Sequence, residues 1–167
     1  MFTSVGRCIL GQNMAETLGS LCDKLTVVKL KEWHSTAPER LASLQVQARQ
    51  LGSEIDEFVV AATSGQVPLE RLTFAANKVY KQAGNAITPA SGTLGEIFAR
   101  LASVNCALWH EQEKVYDFEN VPAEAKNTVV KQIALLNLER TECIDAIDRV
   151  FRGSLAETKE SMHAPRP

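Results

Sequence analysis

The chain lacks most of the signatures that would assign it a chemistry. It has no apolar run approaching 18 residues, so no helix is expected to span a membrane. Its start, MFTSVGRCILGQNMAE, carries one Arg and a short apolar stretch. The charged region, long apolar region and small-residue cleavage site of a secretory leader are missing there, so a cytoplasmic address is expected. Positive charge is neither in excess nor clustered. Lys and Arg number 18 against 20 Asp and Glu, for a formal net charge of −2. That balance argues against a nucleic-acid partner, whose surface would show a basic patch or stripe. None of the four cysteines (Cys8, Cys22, Cys106, Cys143) sits in a Cys-x-x-Cys. Neither their spacing nor the compartment supports a zinc site or a disulfide, and no metal is expected. A Gly-rich phosphate loop, a Ser-His-Asp set and a His-Glu-x-x-His are also missing. No cofactor can be named.

Aromatic residues are scarce too, which makes their placement informative. The chain has two Trp and three His, and each Trp is followed directly by His. Both pairs close the same eighteen-residue phrase. Thr17–His34 reads TLGSLCDKLTVVKLKEWH and Thr93–His110 reads TLGEIFARLASVNCALWH, at a constant offset of 76, with seven positions identical. The spacing predicts an internal duplication. Within it, Cys22 matches Phe98 and Cys106 matches Leu30, so the cysteines behave as small hydrophobes.

Apolar spacing of three and four predicts helices throughout. Helix A covers about residues 15–34, with apolar positions Leu18, Leu21, Cys22, Leu25, Val28 and Trp33. Helix B opens on Thr36-Ala-Pro-Glu39, read as a capping box, carries Leu41, Leu44, Ala48, Leu51, Ile55 and Phe58, and stops at Gly65. Helix C opens on the capping box Thr93–Glu96 and carries Leu94, Ile97, Phe98, Leu101, Val104 and Leu108. Helix D follows Pro122 and runs to about Phe151, where Gly153 is expected to end it, with a seam of Val130, Asn137, Ile144 and Phe151 flanked by Ile133, Arg140 and Ile147. Helices B and D align at offset 89, which leaves extra residues between C and D.

A chain of 167 residues is most simply one domain, and 45% apolar residues suffice for a core. The expected fold is all-α: a four-helix bundle from two tandemly duplicated αα-hairpins (residues 15–63 and 93–152) with pseudo-twofold symmetry, since neither hairpin can bury its apolar face alone. The connector 64–92 is expected to hold a short helix that starts at Val67 and stops at Gly84, lying across the bundle. The tail 154–167 lacks an apolar period and is expected to fray.

Duplication supplies an internal control. Features in both halves point to architecture, and features in one half point to function. Trp33/Trp109 and His34/His110 occur in both. An aromatic closing the core and an imidazole near a helix's negative end account for them. Helix D differs, because Asn137, Arg140 and Asp148 stand where helix B has Ala48, Leu51 and Val59. Burying an amide or guanidinium costs several kcal/mol unless it is paired, so partners are expected from helix C, in Asn105 and Glu113. The candidate ligand-binding residues are therefore Asn105, His110, Glu113, Asn137, Arg140, Asp145 and Asp148, most of them lining a groove between helices C and D. Two readings stand: a satisfied network that fixes helix register, or a pocket that takes an anionic or hydroxyl-rich ligand through Arg140 and Asn137. Glu139, Glu142, Asp145 and Asp148 recur every three residues, but that step drifts around a 3.6-residue helix, so the four cannot face one ion.

The phrases Asn105-Cys-Ala-Leu-Trp-His-Glu-Gln-Glu113 and Asn137-Leu-Glu-Arg-Thr-Glu-Cys-Ile-Asp-Ala-Ile-Asp148 together resemble an uncharacterised bacterial helical family, a domain of unknown function. Its pattern is an N-x-x-LWH-x-E phrase followed by K-x-x-ID-x-x-NQ-x-RND-x-IE-x-ID. Leu138 and Thr141 depart from it. The resemblance covers about a third of the chain, and it implies a helical bundle and no activity. The functional expectation is a non-enzymatic binding or assembly module whose partner is the chain itself, as a homo-oligomer, or another protein. The alternative is a small-ligand or phosphate-ester enzyme working in the C–D groove, with Arg140 orienting an anion and Glu113 or Asp145 acting as base or holding Mg²⁺.

Overall fold

The computed structural model describes residues 16–74 and 86–163. Among them are four α-helices and no strand: α1 (Leu18–Trp33), α2 (Pro38–Thr63), α3 (Leu94–Tyr116) and α4 (Ala123–His163). The packing is that of a four-helix bundle. α1 packs on α2, α3 on α4, and α1 also reaches both helices of the second hairpin.

Local chemistry fixes most of the helix ends. Thr17 caps α1 and Thr93 caps α3, and each forms a reciprocal capping box, with Ser20 and Glu96 respectively. At α3 this is the box read from the sequence. The expected box at Thr36 is not formed. Ala37 is the N-cap of α2 and gives no side-chain bond, with Pro38 supplying a fixed φ at the first turn. Gly65 stops α2 as expected, at φ 75, while Gln66 N–H donates to the Ala61 carbonyl. Gly153 does not stop α4, which continues through it to His163. Glycine weakens a helix interior by about 1 kcal/mol relative to alanine, and Leu155 beyond it still packs on the core.

The core gathers Leu18 and Leu21 of α1, Phe58 and Ala62 of α2, Ile97 and Leu101 of α3, and Cys143, Ala146, Ile147 and Phe151 of α4. A smaller cluster joins Val104 and Leu108 to Leu136. The buried seam of α4 is therefore Val129, Leu136, Cys143 and Ile147. It is one residue out of phase with the seam expected through Val130 and Asn137. One residue turns a helix by about 100°, which puts Val130 and Asn137 outside.

The connector folds back onto the bundle where it is described. Val67 and Leu72 are buried either side of a 3₁₀ turn, Leu69–Arg71, whose Leu69 carbonyl accepts from Arg152 Nε of α4 at 3.2 Å. Ala90 is buried and its N–H donates to Glu142 Oε1 at 3.2 Å. The expected connecting helix extends into residues 75–85, outside the described residues. A second 3₁₀ turn, Phe118–Asn120, occupies the extra chain between α3 and α4.

Candidate functional site

The polar side chains of the interior converge on a residue that sequence reasoning did not select. Gly19, Asp23 and Thr26 lie at steps of four and three along α1 and so share one face. That face meets α3 and α4. Asp23 is buried and accepts from Asn105 Nδ2 of α3 at 2.9 Å and from Arg140 Nε of α4 at 2.7 Å. Arg140 Nη2 binds the second carboxylate oxygen, making the pair bidentate. Thr26 Oγ1 also accepts from Asn105, at 2.7 Å, and donates to the Asp23 carbonyl. Asp23 raises the affinity of the Arg140 guanidinium for its proton. The side chain of Arg140 keeps 34% of its surface exposed against 7% for Asp23, so the arginine closes the pair from the solvent side.

One turn toward the start of α1, Asp148 of α4 is buried and accepts from Gly19 N–H at 2.7 Å. Burial pushes its carboxyl up to about 6, against the opposing pull of the Gly19 N–H and the Thr17 hydroxyl, and nearby Asp145 adds to the rise. The two helices touch here. A Cβ placed on Gly19 would lie 2.3 Å from the Ile144 carbonyl oxygen. Cys22 is pushed up to about 11 by burial and by the charges of Asp148 and Asp23.

The interior polar groups thus bridge the two hairpins instead of lining a C–D groove. Asn105 and Arg140 are brought together on Asp23, and Asp148 lies beside them on the same helix face. Asn137 is not with them. It is exposed and its amide turns back to the Ile133 carbonyl of its own helix at 2.9 Å. The acids of α4 serve separate contacts: Glu139 lies 4.0 Å from Arg100, Glu142 binds Ala90 N–H and Arg149, and Asp145 flanks a hollow of about 300 Å³ with Asp148, Arg149 and Arg152. Among the described residues no buried side-chain nitrogen or oxygen lacks a hydrogen-bond partner. Nor does any group of three or more His, Cys, Asp or Glu converge so as to hold a metal ion. Asp23 was legible in principle, since the position matching it at offset 76 is Ala99 and the comparison of halves applies to it equally.

His110 and Glu113 belong to a second cluster, at the end of the bundle. His34, the C-cap of α1, stacks on Trp109 with ring centroids 4.6 Å apart and meets His110 edge-on at 6.3 Å. Trp109 Nε1 donates to Glu113 Oε1 at 2.8 Å, and His110 Nδ1 lies 3.3 Å from Glu113 Oε2. These contacts hold the Glu113 carboxyl below the usual range, the Trp109 N–H contributing most. On its other side His110 Nε2 lies 3.7 Å from Cys106 Sγ. Trp33 does not close the core as its position suggested. It is 86% exposed, and Tyr116, at the end of α3, is 90% exposed.

Two larger hollows lie on the surface of the described residues. One of about 390 Å³ runs between α1 and α2, where Lys24, Lys31, Gln47 and Glu54 face Arg140 and Asp23. The other, about 680 Å³, lies under the α3–α4 connection beside His110 and Glu113.

No family model matches the chain, and no curated protein or solved structure does either.

Proposed function

We propose that this chain is a non-enzymatic helical binding and assembly module, a duplicated pair of αα-hairpins that presents one aromatic end to a protein partner. The observation that carries the reading is the exposure of Trp33 and Tyr116. His34 at the end of α1 stacks on Trp109, about two turns before α3 ends at Tyr116, so both exposed aromatics lie toward the same end of the bundle. Trp and Tyr are the residues most enriched among those that dominate protein interfaces. The interior supports the same reading from the other side. An enzyme using Arg140 to orient an anion needs the guanidinium fork free, and Asp23 occupies two of its nitrogens. The polar set therefore reads as a register-fixing network.

The matched capping boxes at Thr17 and Thr93 support the duplication. Free thiols at Cys22, Cys106 and Cys143 suit a reducing, cytoplasmic compartment. The resemblance to the uncharacterised helical family supports a bundle and adds no activity.

A photo-crosslinking amino acid at position 33 or 116, in turn, tests the reading in cells. The expected result is one discrete adduct, either with a second copy or with one other protein, and none from the same group at Gln47. Adducts no different from those of the Gln47 control would sink the proposal. Sedimentation of the purified chain over a concentration series then separates self-assembly from a foreign partner.

A further inference from the structure

We infer that Cys106 is a nucleophilic thiol served by its own base, a site for reversible mixed-disulfide formation with low-molecular-weight disulfides. Cys106, His110 and Glu113 fall at steps of four and three on α3, which brings them onto one face. The side chains there connect in series: thiol to Nε2 at 3.7 Å, Nδ1 to carboxylate at 3.3 Å. An ionised Glu113 accepts from Nδ1, which sets the tautomer and leaves Nε2 with a lone pair directed at the thiol. Glu113 is itself held by Trp109 Nε1 at 2.8 Å, so the orienting group is fixed at both oxygens. A nucleophile, a base and a group that orients the base are the parts an activated thiol needs.

The duplicate half argues that this is not scaffold. His34 repeats His110, but Leu30 stands where Cys106 is and Ala37 where Glu113 is. α1 ends at Trp33 with His34 as its cap and carries neither the thiol nor the acid beside that imidazole. The other described cysteines lack a base. Cys143 is buried, and burial also raises the Cys22 thiol, so neither is a competing nucleophile. Cys106 is half-buried and His110 is exposed, so a small disulfide has access. Facing the imidazole are Glu113 and Cys106 of α3 and His34 of α1.

The step balances without a further reagent. His110 Nε2 takes the Cys106 proton, and the sulfur attacks one sulfur of the small disulfide. The new S–S bond forms as the old one breaks, and the leaving thiolate recovers the proton from His110. Reversal by a small thiol restores Cys106.

Oxidised glutathione is the probe, added to the full chain, with adducts counted at each cysteine by peptide mass spectrometry after an acid quench. At pH 7 Cys106 is expected to react at least about tenfold faster than Cys22 or Cys143. His110→Gln and Glu113→Gln should each slow Cys106 by about threefold or more, and both should shift its rate profile toward higher pH. Both side chains are exposed, and far-ultraviolet circular dichroism establishes that each variant keeps the fold. Rates and profiles of either variant that superimpose on the parent overturn the inference, as does a Cys106 no faster than Cys22.

Discussion

Asp23 and Arg140 make a pair whose two members are unequal. The carboxylate is buried, whereas a third of the arginine is exposed. Removing Arg140 leaves a buried carboxylate that keeps its hydrogen bond from Asn105, and breaking a fully buried pair costs 3–5 kcal/mol or so. Allowing for solvent at Arg140, Arg140→Leu, which installs the residue of the matching α2 position, should destabilise by about 2–3 kcal/mol in urea unfolding. Unchanged stability would mean that the pair does not hold the fold, and would return Arg140 to the role of ligand-binding candidate. Asp148 carries the opposite sign. Its carboxyl rises from 3.8 unfolded to about 6 folded, so the folded state binds the extra proton between those values. Stability should fall as pH rises through that window, by roughly 3 kcal/mol for a shift of this size. Asp148→Asn keeps an acceptor for Gly19 N–H and cannot ionise. Subtracting its unfolding free energies from the parent's across pH 4–8 isolates this residue, and a difference that is flat with pH would refute the assignment.

The same Gly stands at the second helical residue of α1 and α3, and only one of the two is needed there. Gly19 lets α1 approach α4 until a Cβ would strike the Ile144 carbonyl, whereas a Cβ on Gly95 would meet nothing within 4 Å. Gly19→Ala should cost roughly 2–3 kcal/mol as the helices part, and Gly95→Ala should be neutral or gain up to about 0.5 kcal/mol. Thermal melts of the two variants side by side measure the contrast, and equal effects would mean that the α1–α4 contact is not tight. At this scale the sequence was readable wherever one local rule decided. Thr93-Leu-Gly-Glu96 needs no tertiary information to cap α3, and Gly65 none to end α2. Failures came where two local choices were nearly equal. Val129-Val130 and Cys143-Ile144 allow two seams one residue apart in α4, and only packing against Val104 and Leu108 selects the one that buries Leu136. Asn137 was placed inside by that error alone. Gly153 reads as a stop because its effect on a helix is local, but Leu155 beyond it still finds the core.

In the whole bundle, the interior polar contacts of Asp23 and Asp148 cross from one hairpin to the other. Asp23, Thr26 and Gly19 belong to the first, and Asn105, Arg140 and Asp148 to the second. That division explains which part of the site was legible. Comparing the halves singles out Asn137, Arg140 and Asp148 and points to Asn105 and Glu113 of α3 as their partners, whereas the partners of Arg140 and Asp148 lie on α1. Helix pairing between hairpins is not encoded in periodicity. The same division makes each hairpin incomplete by itself. The core cluster draws on all four helices, and a separated second hairpin would expose Leu101, Ile147 and the unpaired Arg140. Expressed alone, residues 16–74 and residues 86–163 should each lack a cooperative thermal transition. Mixed at equal concentration they should regain one, with a midpoint that rises with protein concentration, as linked folding and binding require. Arg140→Leu in the second fragment should weaken that association by about the same 2–3 kcal/mol it costs the intact chain. A fragment 86–163 that melts cooperatively by itself, at the temperature of the parent, would show that the second hairpin is sufficient and that the bridge through Asp23 ties together two units already folded.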